Sequence, residues 1–108
     1  MLNKAIFLTV AAAVSAFAAT WTGEISDSAC GMSHAKMMAG DKSLKTDRDC
    51  TLACIKAGGK YVFVSDGKVY SISNQKAAGL QLHAGEKVQL TGTMKGDNIT
   101  VSKISAAK

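Results

Sequence analysis

The stretch Tyr61-Val62-Phe63-Val64-Ser65-Asp66-Gly67-Lys68-Val69-Tyr70-Ser71-Ile72 decides how the chain is read. Its first four residues are β-branched or aromatic and follow Gly58-Gly59, which marks a strand buried on both faces. Asp66-Gly67 is a two-residue hairpin signal, because a type I′ turn needs positive φ at both central positions. The return strand, Lys68 to Ser73, has Tyr70 and Ile72 on one face.

Outward from this hairpin the same period of two recurs. Val88, Leu90, Gly92 and Met94 alternate with Lys87, Gln89, Thr91 and Thr93 over residues 86–94. Lys95 to Asp97 is a turn, and Asn98 to Ser105 is a last strand with Ile99 and Val101 on one face. Ile104 breaks that parity, which predicts a bulge or an edge. Upstream, Trp21, Gly23 and Ile25 alternate with Thr22, Glu24 and Ser26 in a half-buried first strand. Asn74 to Gly85 reads as a connector with a short helical turn.

Residues 27–58 interrupt the pattern and form an insertion. Within it a helix is expected after Thr46, a cap with Asp49 as its capping-box partner, ending at Gly58. Cys50, Ala53, Cys54 and Ala57 share one helical face, extended by Leu52 and Ile55. The fold class is therefore mainly β with one short helix (α+β). Five strands with a connector between the third and fourth give a five-stranded OB-like barrel. The alternative is an open antiparallel sheet with a helix on one face.

The chain has 108 residues, 13 Lys+Arg, 8 Asp+Glu and no Pro, with 47% hydrophobic residues. These values exclude a disordered chain and a large multidomain enzyme. Residues 1–18 read as a signal peptide: Lys4, an apolar run from Ala5 to Phe17, and Ala16-Phe17-Ala18 as a cleavage site before Ala19. Residues 19–108 then form one domain of formal charge +4, exported to a periplasmic or secreted location, with no membrane span after the signal is removed. Export permits disulfides.

Chemistry concentrates in the insertion. Cys30 and His34 are spaced C-x3-H, and Cys50 and Cys54 C-x3-C. One reading is a disulfide from Cys30 to Cys50 or Cys54, closing about 20 residues and contributing roughly 3 kcal/mol. A Cys50–Cys54 bridge within one helix would be strained. The other reading is a Cys3His metal site of Cys30, His34, Cys50 and Cys54, with Met32, Met37 and Met38 as secondary candidates. Tetrahedral sulfur and nitrogen ligation suits zinc, and added thioethers suit copper as Cu(I). Asp27-Ser28 reads as a turn or Asx cap, and His83 as a loop residue. No triad spacing, phosphate loop or paired-carboxylate motif is present, so no catalytic residue is assigned.

The pattern Gly23-x-Ile25-x-Asp27-Ser28-x-Cys30-Gly31-x-x-His34, followed by Cys50-x3-Cys54, Gly59-x-Tyr61-Val62 and Gly85-x-x-Val88-x-Leu90-x-Gly92, resembles that of small exported bacterial proteins. The C-terminal half resembles periplasmic bacterial OB-fold proteins. The resemblance covers residues 21–105. It implies export and fold, and it implies no reaction.

Three functional expectations follow. The first is an exported, monomeric binding or structural module, stapled by the Cys30 disulfide, whose partner is a small ligand or another exported protein. The second is a periplasmic zinc or copper protein. The third is a thiol oxidoreductase. A nucleic-acid partner is not expected, given export, few aromatics and mild charge.

Overall fold

A computed structural model describes residues 17–31 and 33–107, with Lys36 described by its backbone alone. The expected signal peptide lies outside the described residues apart from Phe17 and Ala18. Five strands close into a barrel in the order β1-β2-β3-β5-β4. They are β1 (Phe17–Asp27), β2 (Tyr61–Ser65), β3 (Lys68–Ile72), β4 (Lys87–Lys95) and β5 (Asn98–Ala106). All neighbours are antiparallel except β3 and β5. This is the OB-like closed barrel, and the open-sheet alternative does not occur.

β1 closes the barrel by pairing with both neighbours. Residues Phe17 to Glu24 pair with β4, and Glu24 to Asp27 pair with β2. The changeover needs Gly23, since a Cβ there would stand 2.3 Å from the Val64 carbonyl oxygen and 2.7 Å from the Phe63 ring. Phe17 and Ala18 pair with Met94 and Thr93, so β1 extends two residues to the signal side of the expected cleavage.

The parallel seam between β3 and β5 has only two paired positions, Ser71 with Asn98 and Ile72 with Ile99. Asn74 extends it by acting as a strand residue. Its Nδ2 donates to the Val101 carbonyl and its Oδ1 accepts from the Val101 amide, both at 2.8 Å.

The strand chemistry follows the alternation. Val88, Leu90, Gly92 and Met94 face the core, and Lys87, Gln89 and Thr93 are exposed. Asp66 and Gly67 have φ of 50° and 74°, as the hairpin requires. The break in parity at Ile104 comes from a bulge: Thr91 pairs with Lys103 and Gly92 with Val101, which leaves Ser102 over. Ile25, Phe63, Leu80, Val88, Leu90 and Ile99 make the fully buried centre of the core. Leu80 comes from the connector between β3 and β4, which is a run of turns.

The insertion between β1 and β2 carries two short helices, α1 (Ala35–Gly40) and α2 (Asp47–Lys56). Thr46 and Asp49 form the expected capping box on α2. The buried face of α2 differs from the expected one. Cys50, Thr51 and Cys54 are buried, while Ala53 and Ala57 are exposed. Arg48 ties this helix to the β3–β4 connector, its guanidinium donating to the carbonyls of Gln81 and Leu82 at 3.1 and 2.8 Å. The same turn of α2 rests on Gly85. No helix among the described residues is long and apolar enough to cross a membrane.

Candidate metal centre

The site begins at the end of β1. Alternation along the strand directs Ser26 outward, yet Ser26 and Asp27 are both 0% exposed because the insertion folds back over them. Asp27 Oδ1 accepts from the amides of Ala29 and Cys30 at 3.0 and 2.9 Å, an Asx turn that reverses the chain. Gly31 then takes φ of 59°, and its amide donates to the Asp27 carbonyl. Ser28 holds this turn to the start of β2 through two bonds with the Lys60 backbone. The turn brings Cys30 back above Asp27, and His34 follows as the residue before α1.

His34 is 4% exposed, and the tautomer of its neutral imidazole follows from donor counting. Ser26 has one hydroxyl proton, which it donates to the Gly31 carbonyl at 2.6 Å. Its oxygen can then only accept from His34 Nε2, 3.2 Å away. In the neutral ring this puts the proton on Nε2 and a bare lone pair on Nδ1. That lone pair faces Asp27 Oδ2 at 3.6 Å, and neither atom has a hydrogen-bond partner. Two buried acceptors opposed in this way are costly unless a cation or proton lies between them.

The thiols surround this pair. Cys30 Sγ is 3.8 Å from Cys50 Sγ. Metal–sulfur bonds of about 2.3 Å in a tetrahedral shell put sulfurs about 3.8 Å apart. Donor atoms of Cys30, His34 and Cys50 all lie within 4.8 Å of one another, as do those of Asp27, Cys30 and Cys54. The expected Cys3His quartet is thus two triads that share Cys30, with Asp27 as an added donor. A third triad, Glu24, His34 and Asp47, lies on the more exposed side. Burial, and then the Asp47 charge, push the Glu24 carboxyl above its ordinary value.

Of the thioethers, Met37 joins the cluster, with Sδ 3.3 Å from Cys54 Sγ and 3.9 Å from Cys30 Sγ. Met38 lines a separate hollow with Ala35, Leu44 and Lys45. Met32 lies outside the described residues. His83 is engaged elsewhere, with Nδ1 3.2 Å from Glu86 Oε1.

The three cysteines are unbridged. Burial pushes Cys30 and Cys54 up to about 11 and raises Cys50, with Asp27 adding to each. At neutral pH these are thiols rather than thiolates, the wrong state for an attacking sulfur. Metal binding removes the proton and reverses that preference.

Of the residues singled out by spacing, Cys30, His34, Cys50 and Cys54 come together, and of the secondary candidates Met32, Met37 and Met38 only Met37 among the described residues lies beside them. Spacing missed Asp27 as a donor and Ser26 as the group that orients the imidazole. For Asp27 the signal was its place three residues before Cys30, which the turn reading had already assigned to the backbone. The fold and site define a small closed barrel with a sulfur-rich donor cluster held outside it by two helices. Comparison with protein-family models, curated proteins and solved structures gave no match for this chain.

Proposed function

We propose that the chain is an exported barrel domain that binds a thiophilic metal ion, zinc or copper, with Cys30, His34 and Cys50 as ligands and Asp27 and Cys54 completing the donor set. The observation that carries this reading is the buried, unpartnered pair of Asp27 Oδ2 and His34 Nδ1 beside the thiols. A cation there turns two opposed acceptors into two ligands. Ser26 then serves as the outer partner that fixes the ring through Nε2, an arrangement common around ligating histidines. The leader-like pattern around Lys4 and Ala16-Phe17-Ala18 supports export.

A second reading has its own support. The 3.8 Å approach of Cys30 and Cys50 suits a disulfide staple, in a binding or structural module with Cys54 as the spare thiol. One experiment separates the two: intact mass, thiol alkylation and metal analysis on protein recovered from an oxidising compartment. The metal reading expects three alkylatable thiols after metal removal and about one equivalent of zinc or copper before it. A mass lower by two hydrogens, one alkylatable thiol and no metal would sink it in favour of the staple. N-terminal sequencing of the same material expects Ala19, and retention of Met1 would contradict export by cleavage.

A further inference from the structure

We propose that the centre selects Cu(I) over zinc, that Met37 is the ligand responsible, and that Cu(I), unlike zinc in the inner triad, binds at the edge where Met37 meets solvent. This deepens the metal reading and rests on it.

Three sulfurs lie together at that edge. Met37 Sδ is 3.3 Å from Cys54 Sγ and 3.9 Å from Cys30 Sγ, and the two thiols belong to one triad with Asp27. A trigonal shell with metal–sulfur bonds of about 2.3 Å spaces its sulfurs about 4.0 Å apart; the Met37–Cys30 spacing matches it, the Met37–Cys54 pair must open from 3.3 Å, and Cys30 and Cys54 lie within 4.8 Å of each other. The chemistry of the donors then discriminates. Thiolate and thioether together are a soft set that suits Cu(I). Zinc takes thiolate, imidazole and carboxylate, and gains nothing from a thioether. The inner triad of Cys30, His34 and Cys50 serves zinc without Met37, so the Met37 side chain matters to one ion and is indifferent to the other.

Exposure supports the same assignment. Cys50 and Cys54 are buried, but Met37 is 37% exposed and lines a surface hollow with Ala29, Cys30 and Ser33. A methionine serving only as packing covers apolar groups, whereas this one sets its sulfur against two thiols and leaves over a third of its surface exposed. No electron moves in the binding step. Cu(I) enters and leaves as Cu(I), Cys30 and Cys54 each release a proton to solvent, and Met37 binds through a neutral lone pair.

The test compares the parent chain with Met37→Leu, anaerobically and with a reductant. Cu(I) is competed against a bicinchoninate chelator, and zinc against a chromophoric zinc chelator. Leucine keeps the volume on an exposed helix, so thermal unfolding by circular dichroism should be unchanged. Met37→Leu is expected to weaken Cu(I) by roughly tenfold or more and zinc by less than about twofold. The Met37 methyl proton resonance is expected to shift on Cu(I) addition and stay in place with zinc. Equal weakening of both ions, or an unchanged Cu(I) affinity, overturns the role of Met37 and leaves the metal reading standing. A chain that takes up neither ion overturns both.

Discussion

The barrel strands and the 27–58 insertion treat buried polar atoms in opposite ways. Barrel atoms are paired in ladders, or by side chains that imitate a ladder, as Asn74 does against Val101. Among the described residues, the buried side-chain atoms without partners are Asp27 Oδ2, at the last residue of β1 where the insertion begins, and His34 Nδ1 and Thr51 Oγ1 within the insertion. A barrel of this size has little stability to lose, and each unpaired group costs about 1–3 kcal/mol. The barrel supplies the stability, and the insertion spends part of it on holding groups in a state that suits binding.

The largest expected effect tests whether the insertion depends on the barrel at all. Phe63 is 0% exposed and sits at the centre of the core. Phe63→Ala is expected to cost about 3–5 kcal/mol by urea unfolding. Trp21 fluorescence and the alkylation of Cys50 should follow one transition. If Cys50 stays protected after the fluorescence has changed, the insertion is its own folding unit and the comparison breaks.

A smaller effect is expected where the two regions touch. Gly85 takes φ of 77°, and a Cβ there would stand 2.4 Å from the backbone nitrogen and Cα of Arg48. The clash is with backbone, so α2 itself must shift. Gly85→Ala is expected to cost about 1–3 kcal/mol and to speed alkylation of Cys50 under native conditions. A slower Cys50 reaction would mean that Gly85 does not set the position of the helix.

The same division governs what could be read from residues alone. In the barrel, burial follows local alternation, so β4 was legible residue by residue, and Ile104 announced the bulge at Ser102. The Asp66-Gly67 turn carries its own chemistry in two residues. In the insertion, burial follows contacts distant in sequence. Ser26 and Asp27 are covered by residues that come later in the chain. α2 is tied by Arg48 to the carbonyls of residues 81 and 82, more than thirty residues away in sequence. Spacing at i and i+4 correctly put Cys50 and Cys54 on one side. It carried no information on which of them meets His34.

The smallest expected effect has the most informative sign. In Asp27→Asn the amide oxygen can still accept from Ala29 and Cys30, so the turn survives. The amide nitrogen becomes a donor aimed at the bare Nδ1 of His34. The metal-free protein is therefore expected to gain about 1 kcal/mol, the ordinary worth of one added hydrogen bond, while zinc and Cu(I) binding weaken. Were His34 instead a protonated partner of Asp27, the same change would break a buried ion pair and cost about 3–5 kcal/mol. Urea unfolding of metal-free Asp27→Asn against the parent reads the sign directly. A loss of that size would show that the insertion balances its charges without a metal, and the contrast with the barrel would then be one of degree.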